Sequence, residues 1–222
     1  MDGTGQLFGE FVKALGPDVE STIVTYPGDV PLDYKQLETL ARERLPTDRP
    51  FVLLGESFSG PIAVSIAASA PVALRGVVLC CSFVKNPRPW LGMLKALVSV
   101  VPVQAVPSGL LSGVLLGRFS TLESRLALRR ALAGVSTSAL RARLRAVLDV
   151  NVAPLLPRVK VPVLYLRASE DRLVPQNASR LLSRMLPSAT VAEVEGPHFL
   201  LQVAPVAAGE HIRRFMGELV GL

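Results

Sequence analysis

The sequence predicts an α/β fold: a mostly parallel sheet of about five strands flanked by helices, with one helical insertion. Three observations carry this expectation. Short runs rich in β-branched residues alternate with helical patterns through both ends of the chain. The runs at 51–54, 76–81 and 162–166 are apolar at nearly every position, as strands covered on both faces of a parallel sheet must be. The alternation then stops between about residues 84 and 160, where only helical patterns occur.

The elements follow in order. "QLFGEFVKALG" (6–16) reads as a helix ended by Gly16–Pro17, and "STIVTYP" (21–27) as a strand. "LDYKQLETLARERL" (32–45) is helical up to Pro46. The apolar run from Phe51 leads to Ser57, after which "PIAVSIAASA" carries Pro61 early in a helix and stops before Pro71. "LRGVVLCCSF" (74–83), "VPVLYLRAS" (161–169) and "ATVAEVEG" (189–196) are the remaining strands. "NASRLLSRML" and "AAGEHIRRFMGEL" are the helices that follow the last two. Residues 1–84 and 161–222 form the expected core, and 85–160 the expected helical cap, with "TLESRLALRRALAG" and "STSALRARLRAVLDV" its clearest helices.

Composition narrows the function classes. Half of the 222 residues are hydrophobic and 19% charged, ample for a sizeable core and unlike a disordered chain. Cys80 and Cys81 are adjacent, so they cannot staple distant segments; they read as small apolar residues in a reducing compartment. "MDGTGQLFGE" has neither a basic nor an apolar leader pattern, so the expected location is the cytoplasm. "GTGQLFG" lacks the preceding strand of a dinucleotide loop. There is no clustered metal-ligand motif, no P-loop and no aromatic-laced basic face, so no cofactor, metal or nucleic acid is expected. Ala96 to Gly117 is free of charge, but Pro102, Pro107, Gln104 and several serines interrupt it, which favours a pocket lining over a membrane span.

Chemistry concentrates at three positions. In "FVLLGESFSGP" a serine stands between small residues directly after a strand. A serine hydroxyl needs a base, and the base an orienting acceptor. In a parallel sheet such groups gather beyond the carboxyl ends of the strands. Asp171 follows the strand "VPVLYLRAS" and His198 follows "ATVAEVEG". Glu170 is the alternative acid, and His211 falls within the last helical pattern.

"LLGESFSGP", "ASEDRLVP" and "EGPHFLLQ" together resemble the elbow, acid loop and base loop of the α/β-hydrolases with a helical cap. The resemblance implies Ser57 as nucleophile, Asp171 as orienting carboxylate and His198 as general base and acid. It implies an oxyanion hole from Phe58 and from the backbone near Asp2 and Gly3. The chain departs from the family in two ways. The elbow glycine comes one place late, at Gly60 with Ser59 before it, and the family's first strands have no counterpart. Either the sequence starts late or the protein has lost those strands and some activity.

The expected function is cleavage of a carboxylic ester or thioester through an acyl-enzyme on Ser57. The other readings are a non-catalytic ligand-binding protein of the same fold, and a haloperoxidase- or acyltransferase-type member. Trp90, near the entry of an apolar cap, is expected to line the substrate pocket. From Lys85 to Lys160 there are twelve Lys or Arg and two acids, Glu123 and Asp149, against a net charge of +6 for the whole chain. That excess could guide an anionic substrate or an acidic acyl carrier, or be a solvated helix face.

Overall fold

The computed structural model describes residues 2–90 and 108–220. Its sheet has four parallel strands in the order β1-β2-β3-β4: Phe51–Glu56, Leu74–Cys80, Val163–Glu170 and Thr190–Pro197. Helices α1 (Gly9–Leu15), α2 (Tyr34–Arg42) and α3 (Gly60–Ala68) lie before β2. Helices α4 (Ser108–Leu115), α5 (Leu122–Ala133) and α6 (Thr137–Asp149) lie between β2 and β3. Helix α7 (Gln176–Met185) joins β3 to β4, and α8 (Leu200–Val203) and α9 (Pro205–Val220) follow β4.

Both faces of the sheet are covered. Ala63, Val64 and Ala67 of α3 and Leu182 of α7 pack with Val77, Leu79 and Tyr165 on one face. Phe11 and Leu15 of α1 and Ile212 and Phe215 of α9 pack with Val78, Cys80 and Leu166 on the other. This double cover explains why β2 and β3 are apolar at consecutive positions instead of alternating.

The expected strand at 21–27 is not part of the sheet, which has four strands where about five were expected. The segment is extended, and its Tyr26 N–H donates to the Gly3 carbonyl over 2.8 Å. Its sequence carries the physical reason. Ser21, Thr22 and Thr25 are polar and exposed, so the run lacks the continuous apolar character of a strand covered on both faces. Val24 and Tyr26 instead pack with Leu37, Phe58 and Ile62.

Local chemistry sets the helix starts. Asp33 caps α2, accepting from Gln36 N–H at 2.8 Å while Gln36 Oε1 accepts from Asp33 N–H at 3.0 Å. Thr121 and Ser124 form the equivalent reciprocal pair on α5, and Ser136 accepts from Ala139 N–H to cap α6. Between β2 and β3 the described residues contain helices and, at Lys85 and Asn151, one isolated bridge. Part of the uncharged 96–117 stretch lies outside the described residues. Among those described, no helix is long and apolar enough to cross a membrane.

Candidate active site

Because all four strands run parallel, their carboxyl ends share one edge, where Glu56 is level with Cys80 and Glu170 with Pro197. Ser57 is the first residue past β1, Asp171 the first past β3 and His198 the first past β4. The topology alone therefore delivers the three side chains to one place.

They form a hydrogen-bonded chain. Ser57 Oγ lies 2.8 Å from His198 Nε2, and His198 Nδ1 lies 2.8 Å from Asp171 Oδ2. A carboxylate can only accept, so Nδ1–H donates to Asp171 and leaves Nε2 free to accept from the serine hydroxyl. The other carboxylate oxygen, Oδ1, accepts from the N–H groups of Leu173 and Val174 at 2.9 and 2.8 Å. The acid loop thus fixes its own carboxylate. The His198 and Asp171 side chains are only 2% and 5% exposed, so solvent does little to loosen the pair. Glu170 turns away and pairs with Arg118.

Ser57 has φ of 49°, a left-handed conformation that is strained for any residue except glycine. It is followed by a 3-10 turn (Ser57–Ser59) running into α3. Two hydrogen bonds hold the turn. Ser82 Oγ donates to the Ser57 carbonyl at 2.7 Å, and Tyr34 Oη donates to the Phe58 carbonyl at 3.0 Å, its ring stacked on Phe58 at 4.7 Å. Tyr165 Oη in turn donates to the Ser82 carbonyl at 2.6 Å.

The late glycine has a steric cause. A Cβ at Gly60 would stand 1.7 Å from Ser82 Oγ, and one at Gly55 would stand 2.9 Å from Ala63 Cβ and Gly60 Cα. Both glycines occupy the close approach of β1, β2 and α3. Ser59 remains partly exposed, and the neighbouring Tyr26 phenol is pushed by burial up to about 12, against the lowering effect of a hydrogen bond with Ser59, and so stays neutral.

The segment expected near the oxyanion is also tied down. Arg143 of α6, fully buried, donates from Nη1 to the Asp2 carbonyl at 2.7 Å and from Nη2 to the Pro27 carbonyl at 2.8 Å. Asp2 Oδ1 accepts from Thr4 N–H and Oγ1–H, and Gly3 has φ of 67° with Tyr26 and Arg143 against it. Trp90 is 57% exposed at the start of the β2–β3 connection.

Ser82, Tyr34, Tyr26 and Arg143 carry no signal in the sequence. Each acts from a distant element, Arg143 and Asp2 being 141 positions apart, so no local spacing signals them. Among the described residues no group of His, Cys, Asp and Glu is placed to hold a metal ion.

Over 65 residues the chain is 38% identical to a protein named for carbamate hydrolase activity, RutD of Azorhizobium caulinodans. That match spans 29% of this chain and 24% of the relative, so the chain matches about a quarter of its length. A hydrolase from Pseudomonas aeruginosa superposes with a TM-score of 0.82 at 18% identity, over 97% of this chain and 86% of that one. A thermophilic esterase from Thermogutta terrifontis superposes at 0.77 and 16% identity, with the same coverage of 97% and 86%. At these identities the likeness is one of fold. The family model described as serine aminopeptidase, S33, matches residues 24–198, most of the chain, and the protein belongs to that family of α/β-hydrolases.

Proposed function

We propose that the protein is a serine hydrolase that cleaves a carboxylic ester or thioester through an acyl-enzyme on Ser57. The observation that carries this reading is the Ser57–His198–Asp171 chain, with both links at 2.8 Å. Ser57 Oγ attacks the acyl carbon as His198 Nε2 takes its proton, and Asp171 stabilises the imidazolium that results. The oxyanion is held by the N–H of Phe58, at the head of the turn leading into α3, and by a backbone N–H of the Asp2–Gly3 segment. His198 returns the proton to the departing alcohol or thiol. It then takes a proton from water, whose oxygen attacks the acyl carbon; the bond from that carbon to Ser57 Oγ breaks, His198 returns the proton to Oγ, and the acid leaves.

The helices between β2 and β3 form, in this reading, a cap over the site, with Trp90 lining an apolar acyl pocket. The basic residues of that segment draw in an anionic substrate or an acidic acyl carrier. The test is labelling by a fluorophosphonate probe, followed by hydrolysis of short ester and thioester substrates. Wild type is expected to label and Ser57→Ala to lose both labelling and turnover. A folded wild-type protein that does not label, or labelling that survives in Ser57→Ala, overturns the reading.

A further inference from the structure

A second contact joins the same two loops beside the Ser57–His198 hydrogen bond. Glu56 immediately precedes Ser57, and Gln202 lies in α8, four residues beyond His198. Gln202 Nε2–H donates to Glu56 Oε2 over 3.1 Å. Their other oxygens, Glu56 Oε1 and Gln202 Oε1, are both shut off from solvent, and neither has a hydrogen-bond partner.

That pattern is incompatible with an ionised glutamate at ease in its site. A carboxylate and an amide carbonyl both only accept, so two buried acceptors would be left unserved. One proton serves both. A hydrogen on Oε1 would let Glu56 donate to Gln202 Oε1 while Oε2 accepts from Nε2, which would close a ring of two antiparallel hydrogen bonds. We infer that Glu56 stays protonated in the folded protein above the pH at which an exposed glutamate ionises, and that its acid–amide ring with Gln202 fixes the Ser57 elbow to the His198 loop.

The surroundings agree in sign. Burial is the main influence and pushes the carboxyl above its ordinary value of 4.5; the nearby Asp2 carboxylate acts the same way. The Gln202 hydrogen bond and the positive charge that His198 can carry oppose it. Cys80 and Cys81 at the end of β2 also sense the carboxyl, and their thiols are themselves raised, the Cys80 thiol by burial. Glu56 and Gln202 are positioning residues here, because they act through Ser57 and His198. This positioning role rests on the proposed hydrolase reading, whereas the protonation does not.

Linkage fixes the direction of the test. An acid whose folded value is raised binds its proton more tightly in the fold than in the unfolded chain. The stabilisation is fully present below 4.5 and is lost as pH rises through the folded value. Glu56→Gln keeps both bonds of the ring without a proton. Its melting temperature relative to wild type is therefore expected to rise with pH above 4.5. The infrared difference between the two proteins should show a protonated carboxyl that persists above that pH. A melting-temperature gap that is flat or shrinking with pH, or a carboxyl band already lost at 4.5, overturns the protonation.

For positioning, Glu56→Ala is expected to slow fluorophosphonate labelling at least severalfold, with Glu56→Gln restoring much of it. Equal rates in the two variants overturn that role. A wild type that never labels removes the hydrolase reading and the positioning role with it. The melting and infrared results would still decide the protonation. If the alanine variant does not fold, the Gln202→Leu variant makes the same comparison from the other side of the ring.

Discussion

Ser57 at φ 49° is a strained residue whose neighbours are shaped to keep it so. Strain of this kind costs about 1–3 kcal/mol and persists only where the surroundings over-determine it. Here the Ser82 hydroxyl holds the Ser57 carbonyl and leaves room for nothing larger than glycine at position 60. Gly60→Ala is therefore expected to lose about 1–3 kcal/mol through overpacking, read as a lower urea midpoint. Adding Ser82→Gly removes the clash and should recover part of that loss, whereas an unchanged midpoint in the single variant would contradict the packing. At this scale the sequence was partly legible. Gly55 and Ser57 could be placed from their neighbours in the chain. The reason for Gly60 could not, because it is the Ser82 side chain just past the end of β2, whose oxygen meets the missing Cβ in space only.

At the scale of elements, the legible features were those written locally. Apolar runs marked β1, β2 and β3, prolines bounded the helices, and Asp171 and His198 were findable because each directly follows a strand. The segment 21–27 failed because β-branched composition makes a chain extended without supplying a neighbour to pair with. Long-range ties were equally hidden. Arg143 reaches from α6 to the carbonyls of Asp2 and Pro27 and so holds the front segment against the rest of the molecule. If that segment supplies an oxyanion donor, Arg143→Met should lower kcat towards the ~10²–10³-fold loss typical of one missing donor, with KM little changed. A variant that stays folded and keeps full kcat would show that the segment takes no part in the chemistry.

At the scale of the whole molecule, charge is the most uneven property. The 85–160 segment carries twelve Lys or Arg and two acids, and Arg125, Arg129 and Arg130 are exposed on α5. If this field guides an anionic substrate or carrier, kcat/KM for a negatively charged thioester should fall as salt rises towards ~0.15 M and beyond. The value for a neutral ester of the same acyl group should stay level. Equal salt dependence of the two would assign the charge to ordinary solvation of the helices.

The parallel sheet places Ser57 past one edge strand and His198 past the other, and their side chains meet across 141 positions of sequence. Local structure alone does not bring them together, because β2 and β3 lie between β1 and β4 in the sheet. If Ser57 is the nucleophile, its reactivity is therefore expected to appear late in folding. Recovery of labelling after dilution from denaturant would follow, and never precede, formation of the whole sheet. The chemistry of one hydroxyl would then act as a clock for the slowest long-range contact in the molecule.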